Sequence, residues 1–268
     1  MKLRVGVLQI DISTGDRDHN FRKLKDWMAS FYVPSELPTA IVLPELWSTG
    51  YALDRASELA DPEGTETAAF LGEIAVKYGV WFTGGSVLAS TRDGFVNRAQ
   101  VINPQGDLAA WYDKVHLFRL MGEDECLAGG NKTCIFDIEG VTAGCVICYD
   151  IRFCEWVRTY TLKGAQALFI SAQWPTARVD HWRTLLRARA IENQIYIAAC
   201  NRCGTSGNTR FPGASMILGP RGEVYFEGDD GEQFAFATIE FDEIREAREQ
   251  ITVFDDRRPE LYSLKQDW

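Results

Sequence analysis

The chain of 268 residues is long enough for one large domain or two small ones. Its hydrophobic content of 46% and charged content of 25% are ordinary values for a globular protein. The net charge of −10 argues against nucleic acid or an anionic membrane surface as a partner, and no apolar run reaches the roughly 18 residues of a membrane-spanning helix.

Apolar strands and amphipathic helices alternate along the first half of the chain. The predicted elements are a strand at residues 3–10, a helix at 16–31, a strand at 40–43, a helix at 66–78, a strand at 80–88, and a hairpin of strands 95–102 and 108–112. The apolar residues of the first helix recur at helical spacing, at Phe21, Leu24, Met28 and Phe31. The first strand is a core strand and not a signal segment, because its apolar run is too short.

The alternation continues through the second half. Residues 120–132 form a glycine-rich, acidic loop that is long enough to belong to an active site. The predicted elements that follow are strands at 134–138 and 141–147, a helix at 154–162, a strand at 165–172, a helix at 180–194, strands at 195–200, 214–218, 224–226 and 234–241, and a helix at 242–250 with Asp242 as its N-cap. This order predicts an α/β fold in a single domain, residues 1–268.

Three predicted strands end in a residue with reactive chemistry. Glu45 follows the strand at 40–43, Lys114 follows the strand at 108–112, and Cys148 follows the strand at 141–147. Each residue alone has an ordinary structural explanation, since free cysteines are commonly buried and inert and lysines commonly extend to the surface. Open α/β folds bind ligands at strand ends, so the three together predict a functional site.

Seven cysteines in a chain of this size indicate reduced thiols and a cytoplasmic protein. Two C-x-x-C pairs, Cys145 with Cys148 and Cys200 with Cys203, offer the alternative of a structural zinc site. The gap between the pairs is far longer than the roughly 15–20 residues usual in such sites, and strand positions three apart point to opposite faces. We therefore expect no metal and no cofactor.

Three motifs resemble the nitrilase superfamily of carbon–nitrogen hydrolases over essentially the whole chain. They are L-P-E-L-W around Glu45, Y-D-K-V-H-L-F around Lys114, and C-Y-D-I-R-F beginning at Cys148. The stretches S-A-Q-W-P at 171–175 and A-I-E-N at 190–193 are similar to the omega-amidase branch. The resemblance implies a four-layer α-β-β-α sandwich and a hydrolase of non-peptide carbon–nitrogen bonds.

The resemblance also implies a role for each strand-end residue. Cys148 would be the nucleophile that forms a thioester, and Glu45 the general base that takes its proton. Lys114 and the backbone N–H of Tyr149 would stabilise the oxyanion of the tetrahedral intermediate.

Two further residues near Lys114 need an assignment. Glu123 matches a second acidic residue that positions the substrate and Lys114, although its neighbours Asp124 and Glu125 leave the register open. His116 could serve as the base, because Cys–His is the commoner thiol-activating pair. The family pattern carries a histidine here without using it as the base, so we assign it an orienting or packing role.

Four residues are expected around the substrate in addition to Tyr149. Tyr51, Phe118 and Trp174 each follow a motif-bearing strand end and are predicted pocket walls. Arg178, just beyond Trp174, is the candidate to receive a substrate carboxylate.

Two charged pairs are predicted outside the pocket. Asp150 and Arg152 would brace the turn after the nucleophile. Arg189 and Glu192, three apart on one helix, would form a local ion pair.

The omega-amidase resemblance implies a small-molecule substrate and water. The expected substrate is a 2-oxo dicarboxylic acid monoamide such as 2-oxoglutaramate or 2-oxosuccinamate, whose terminal amide releases ammonia. An N-carbamoyl amino acid is the alternative, because it offers the same carboxylate and a similar planar centre. A nitrilase-like chain retained as a binding protein is a third hypothesis, which the intact Glu45, Lys114 and Cys148 disfavour.

The resemblance finally implies a homodimer formed through the helices at 154–162 and 180–194. These helices carry large apolar side chains that a monomer would leave in water. They are Trp156, Tyr160, Trp182 and Leu186.

Overall fold

The computed structural model of the protein describes residues 1–262. Two β-sheets pack face to face, and helices cover the outer face of each sheet. This is the expected four-layer α-β-β-α sandwich, in a single domain. No helix among these residues is long and apolar enough to cross a membrane.

The first sheet has the spatial order β15-β1-β2-β4-β5-β6, with the short β3 beside β4. Strands β1, β2 and β4 run parallel, while β15, β5 and β6 join the edges as antiparallel neighbours. The strands are β1 (Lys2–Gln9), β2 (Thr39–Val42), β3 (Asp61–Pro62), β4 (Trp81–Thr91), β5 (Gly94–Ile102), β6 (Leu108–Asp113) and β15 (Gln233–Glu240).

The second sheet has the order β14-β13-β10-β9-β8-β7, and its central strands β8, β9 and β10 are parallel. A separate hairpin of β11 and β12 lies between β10 and β13 in the chain. The strands are β7 (Cys134–Ile138), β8 (Val141–Ile147), β9 (Ala167–Ala172), β10 (Tyr196–Asn201), β11 (Cys203–Ser206), β12 (Thr209–Pro212), β13 (Met216–Leu218) and β14 (Val224–Glu227).

Helices α1 and α3 pack on the first sheet, and helices α5 and α6 pack on the second. The Asp16 carboxylate accepts a hydrogen bond from the backbone N–H of His19 and so caps the first turn of α1. The helices are α1 (Arg17–Phe31), α2 (Ala56–Leu59), α3 (Thr65–Tyr78), α4 (Glu123–Cys126), α5 (Cys154–Leu162), α6 (Val179–Asn193) and α7 (Asp242–Gln250).

The strand β2 shows why the core strands are apolar without interruption. Successive side chains of a strand point to opposite faces, and both faces of this strand are covered. Ala40 and Val42 join the core between the sheets. Ile41 and Leu43 join the core beneath α1 and α3. A strand buried on both sides is therefore a mostly apolar run, and the residues just after it are the first that reach the edge of the sheet.

The predicted helices and strands are present, with bounds that differ by a few residues at most. Three details were wrong. The hairpin β11–β12 was not among the predicted strands. Phe31, which continues the apolar spacing of the first helix, is 55% exposed, because α1 ends there. Asp242 is the first residue of α7 and not its N-cap, which is Phe241.

Gly144 in β8 has no room for a side chain. A Cβ there would overlap the ring of Tyr160 on α5 and press on the carbonyl oxygen of Cys134. Gly144→Ala should therefore lower the free energy of unfolding by about 1–3 kcal/mol, the usual cost of overpacking a core, as measured by urea denaturation.

Gly219→Ala is the matched control. Its added methyl would meet the side chains of Glu223 and Tyr225, which are exposed at the surface and can turn away. Equal losses in the two variants would show that α5 is not packed tightly on β8.

Candidate active site

Three strand ends converge at one edge of the sandwich. Glu45 follows β2 and Lys114 follows β6 in the first sheet, while Cys148 follows β8 in the second. The backbone N–H of Glu45 donates to the carbonyl of Ala172 at the end of β9 (3.4 Å), which joins the two sheets at this edge. The structure thus brings together the residues predicted from the sequence.

The ammonium of Lys114 lies between two carboxylates. Its Nζ is 2.7 Å from Glu45 Oε1 and 2.7 Å from Glu123 Oε1, and all three side chains are fully buried. Burial lowers the pKa of Lys114, but Glu45 and then Glu123 more than offset it, so the pKa ends above its usual value. Lys114 is therefore a fixed cation, and Glu123 is the acidic residue of the loop that reaches it.

Helix α4 delivers Glu123. Its Oε2 accepts from the backbone N–H of Phe118 (2.7 Å), and its carbonyl accepts from the N–H of Leu127 (2.7 Å). Asp124, the neighbouring acid, instead lies near Arg119 (3.6 Å) at the surface. The register that the sequence left open is thus resolved in favour of Glu123.

The carboxylate of Glu45 is held by two residues that the sequence analysis missed. Its Oε1 accepts from Asn97 Nδ2 (2.9 Å) and its Oε2 from the backbone N–H of Gln173 (2.9 Å). The Gln173 side chain binds the Glu45 carbonyl (2.7 Å) and accepts from the buried Arg202 (2.9 Å). The strand-end rule could have found Gln173, which follows β9. Asn97 is in mid-strand, where only its polarity in an apolar run marks it.

Tyr51, predicted to be a pocket wall, lies instead beside the two buried carboxylates and is not among the residues that line the pocket at Cys148. Its hydroxyl lies 2.8 Å from Glu45 Oε1 and 2.7 Å from Glu123 Oε1. Burial, followed by the charges of Glu123 and Glu45, raises the pKa of this phenol well above its usual value. The hydroxyl is therefore protonated and bridges the two carboxylates that hold Lys114.

A β-bulge positions the turn that carries Glu45. The β4–β5 register shifts between Thr83 and Ser86, where Gly84 and Gly85 both have positive φ. Beyond the bulge, Ser86 Oγ accepts from the N–H of Leu46 (2.8 Å). Leu46 itself has φ of 44°, a left-handed conformation rare for a residue with a side chain.

The backbone turn at Cys148 is also strained, and hydrogen bonds hold it in place. Cys148 has φ of 45° and opens the 3-10 helix Cys148–Arg152. The buried carboxylate of Asp150 accepts from the N–H of Ile147 (2.9 Å) and from the hydroxyl of Tyr112 (2.8 Å). Its other oxygen contacts Nδ1 of His116 (2.7 Å). Asp150 thus ties the turn after β8 to the segment that follows β6.

The contacts of Asp150 correct one prediction. Asp150 and Arg152 do not form a charged pair, because the carboxylate points inward to Ile147, Tyr112 and His116. The guanidinium of Arg152 instead lies over the ring of Trp174, 4.8 Å from its centroid. The second pair is confirmed, with Arg189 Nη1 at 2.8 Å from Glu192 Oε1.

His116 binds Asp150, and its ring stacks on Phe153 at a centroid distance of 3.7 Å. This geometry supports the orienting or packing role proposed for it. The other two histidines, His19 and His181, are exposed on helices.

Cys148 requires a base to become a nucleophile. Burial, and then the nearby Glu45 carboxylate, raises the pKa of this thiol well above its usual value, while Lys114 opposes the shift. The sulfur is therefore a thiol at neutral pH. Among residues 1–262, no group of three or more histidine, cysteine, aspartate or glutamate side chains is placed to hold a metal ion.

A narrow pocket opens onto Cys148. Its other lining residues are Phe118, Met121, Tyr149, Arg152, Gln173, Trp174, Pro175 and Arg178. It offers about 10 Å³ of space to the centre of a water molecule, which is room for about one water. Four of the predicted substrate-binding residues line this pocket, namely Phe118, Tyr149, Trp174 and Arg178. Arg152, predicted to pair with Asp150, lines it as well.

The sequence model of the carbon–nitrogen hydrolase family matches residues 4–249. The chain is 44% identical to a 2-oxoglutaramate amidase of Bacillus subtilis, over 98% of this chain and 100% of the relative. It is 39% identical to the omega-amidase YafV of Yersinia enterocolitica, over 81% of this chain and 83% of the relative.

Among solved structures, the chain is similar to a CN-hydrolase superfamily protein of Xanthomonas campestris, described with an arsenic adduct in its active site. The TM-score is 0.89 at 28% identity, covering 99% of this chain and 100% of the other. The fold therefore agrees with that of a solved CN-hydrolase superfamily protein over 99% of this chain.

The geometry predicts that Glu45 governs the reactivity of Cys148. Iodoacetamide should alkylate Cys148, and Glu45→Gln should slow this reaction about 10²-fold or more, because the amide cannot take the thiol proton. Labelling is measured by mass spectrometry of the intact and digested protein.

The labelling is measured in a variant that lacks the exposed cysteines. Cys126 and Cys154 are exposed and can be alkylated as well, so both are first changed to serine. His116→Asn is the matched control and should slow labelling much less. A larger effect of His116→Asn than of Glu45→Gln would identify the histidine as the base.

Proposed function

Because this chain belongs to the carbon–nitrogen hydrolase family, we propose that it is an omega-amidase that hydrolyses the terminal carboxamide of a small 2-oxo dicarboxylic acid monoamide. Substrates of this class are 2-oxoglutaramate and 2-oxosuccinamate, and the products are ammonia and the dicarboxylate. The observation that carries the proposal is a buried Glu45–Lys114–Glu123 cluster next to Cys148, in a pocket lined by two guanidinium groups. Of the relatives named above, one is described as a 2-oxoglutaramate amidase and the other as an omega-amidase.

In the first half of the reaction, Glu45 takes the thiol proton of Cys148 as the sulfur attacks the amide carbon. The C–S bond forms, and the carbonyl oxygen becomes an oxyanion. Lys114 Nζ carries three protons, of which two are directed at Glu45 and Glu123. The third is available to the oxyanion, together with the backbone N–H of Tyr149.

The tetrahedral intermediate then collapses. Glu45 returns its proton to the nitrogen, the C–N bond breaks, ammonia leaves, and a thioester on Cys148 remains. In the second half, Glu45 takes a proton from water as the water oxygen attacks the thioester. The C–S bond breaks, the thiol is restored, and the free carboxylic acid departs.

Arg178 and Arg152 are the groups we assign to the substrate carboxylate. Neither makes an ion pair with any residue in the range 1–262. Each is supported by an aromatic wall, since the Arg178 guanidinium lies 5.3 Å from the ring centre of Phe118 and that of Arg152 lies over Trp174. Two positive groups facing a narrow pocket favour a short substrate with an anionic end.

We also propose that residues 1–268 act as a single cytoplasmic domain. All seven cysteines are free, which is usual in a reducing compartment and unusual for secreted proteins.

We propose a homodimer, on different grounds from those of the sequence. Tyr160, Trp182 and Leu186 are fully buried within the single chain, so they cannot require a partner and that argument was wrong. The outer surfaces of α5 and α6 still expose apolar side chains, with Leu162 at 50% and Ile191 at 48%. Burial of these side chains supports pairing through α5 and α6.

The substrate assignment is tested by comparing kcat/KM for 2-oxoglutaramate, an N-carbamoyl amino acid and a simple nitrile. We expect 2-oxoglutaramate to be best. Arg178→Ala should lower its kcat/KM by about 10–100-fold, because a charge-assisted hydrogen bond to the carboxylate is lost.

Arg187→Ala changes an exposed arginine on α6, the helix that follows Arg178. It is the matched control and should behave as wild type, while Cys148→Ala should be inactive. A carbamoyl substrate preferred by tenfold or more would move the protein to that alternative, and equal slow hydrolysis of all three would place the substrate outside both classes.

The dimer is tested by light scattering coupled to size exclusion. The wild-type protein should have twice the mass of its 30.2 kDa chain, and Leu162→Glu should shift the mass towards one chain because a charge enters the interface. Val76→Glu is the control, since Val76 is similarly exposed (57%) on α3, at the opposite outer layer. A wild-type monomer at all concentrations would refute the proposal.

A further inference from the structure

The contacts of Tyr51 leave one hydroxyl proton for two acceptors. The phenol oxygen is within hydrogen-bond distance of Glu45 Oε1 (2.8 Å) and of Glu123 Oε1 (2.7 Å). A phenol has a single O–H, so it donates to one carboxylate at a time. The other short O···O contact is a hydrogen bond only when a carboxyl carries a proton of its own and donates it to the phenol oxygen.

The charged and titratable groups closest to this hydroxyl all belong to the active site. They are the carboxylates of Glu45 and Glu123, the ammonium of Lys114, which bonds to the same two oxygens, and the thiol of Cys148. Lys114 can supply one hydrogen bond to each carboxylate but cannot fill the contacts to the phenol. Both contacts of the phenol are therefore hydrogen bonds only when the cluster holds one proton more than it does at rest.

The extra proton is the one that the proposed reaction supplies. When Cys148 attacks the amide, its S–H bond breaks and a carboxyl O–H bond forms on the cluster. Both contacts of the phenol are then hydrogen bonds, whereas only one was before. The hydroxyl rotates and the carboxyl proton can sit on either side of it, with no change in the positions of the heavy atoms.

We propose that Tyr51 is a positioning residue that holds the thiol proton in common between Glu45 and Glu123. This inference rests on the proposed function, in which Glu45 is the base. It gives Glu123 a part in storing the proton, in addition to fixing Lys114. It also makes Glu45 a stronger base than the same carboxylate without the hydroxyl, because protonation gains a hydrogen bond.

Tyr51→Phe tests the proposal, because it removes the hydroxyl and keeps the ring. The rate of Cys148 alkylation by iodoacetamide is measured against pH, in the Cys126→Ser, Cys154→Ser background. We expect the plateau rate to fall about tenfold and the acid limb of the profile to move about one unit to lower pH. The limb moves down because the cluster accepts its first proton less readily without the phenol.

Two simpler roles for the hydroxyl, packing alone or donation to one carboxylate alone, would give different pH profiles. Loss of packing would lower the plateau without moving the limb, and loss of a simple donor to a carboxylate would move the limb to higher pH; either result overturns the proposal. Tyr196→Phe is the matched control, since it removes a hydroxyl that also bonds to a carboxylate, that of Glu243, outside the active site. It should leave both plateau and limb unchanged.

A double-variant cycle gives a second measurement. If Tyr51 acts by linking the two carboxylates, Glu123→Gln should slow alkylation less in the Tyr51→Phe variant than in the protein that keeps Tyr51. Additive effects would show that the two residues act separately. Alkylation needs no substrate, so these results do not depend on the assigned amide. Failure of 2-oxoglutaramate hydrolysis with the expected alkylation profile would overturn the substrate assignment alone.

Discussion

The site depends on one buried charge, the ammonium of Lys114. An ammonium removed from water loses its proton unless opposite charges lie close to it, and a buried carboxylate is costly without a cation. Glu45 and Glu123 meet both needs, and they come from segments that are far apart in the chain. Each of the three groups therefore requires the other two, and the ends of β2 and β6 and the helix α4 must be held where the cluster closes. This explains why so many hydrogen bonds around the site serve the backbone and not the substrate.

Strain at two turns serves the same purpose. Leu46, directly after Glu45, and Cys148 both adopt positive φ, a conformation that costs of the order of 1–3 kcal/mol for such residues. The first turn is held by Ser86, beyond the bulge of β4. The second is held by Asp150, whose carboxylate accepts from Ile147 and from Tyr112 of β6. A sharp turn at the end of a buried strand points one side chain into the cleft and prevents it from following the strand direction. In the proposed mechanism, the strained backbone would hold the Glu45 carboxylate and the Cys148 sulfur in place before the substrate arrives.

The sequence could predict the residues that stand at the end of a strand. It could not predict the residues that come together only because particular strands pair. Glu45, Lys114 and Cys148 stand after apolar runs, and the carboxyl ends of parallel strands meet at one edge. Asn97 reaches Glu45 only because β5 lies between β4 and β6, which no local pattern reveals. Tyr160 was predicted to lie at a dimer interface for the same reason: helical periodicity shows that a face is apolar but not whether a sheet or a second chain covers it.

In the proposed function, the chemistry and the selectivity reside in different groups. The buried cluster and Cys148 would act on the scissile carbon, its oxygen and its nitrogen, and would serve any amide that reached them. Arg152 and Arg178 are not part of that cluster, yet they line the pocket that opens onto the sulfur. A substrate that enters this pocket must lose the water around its charged end. An anionic end that engages both guanidinium groups would compensate that desolvation, whereas an uncharged amide of the same size would gain nothing from them. The pocket would thus select among amides by charge and leave the cleavage of the bond to the buried cluster.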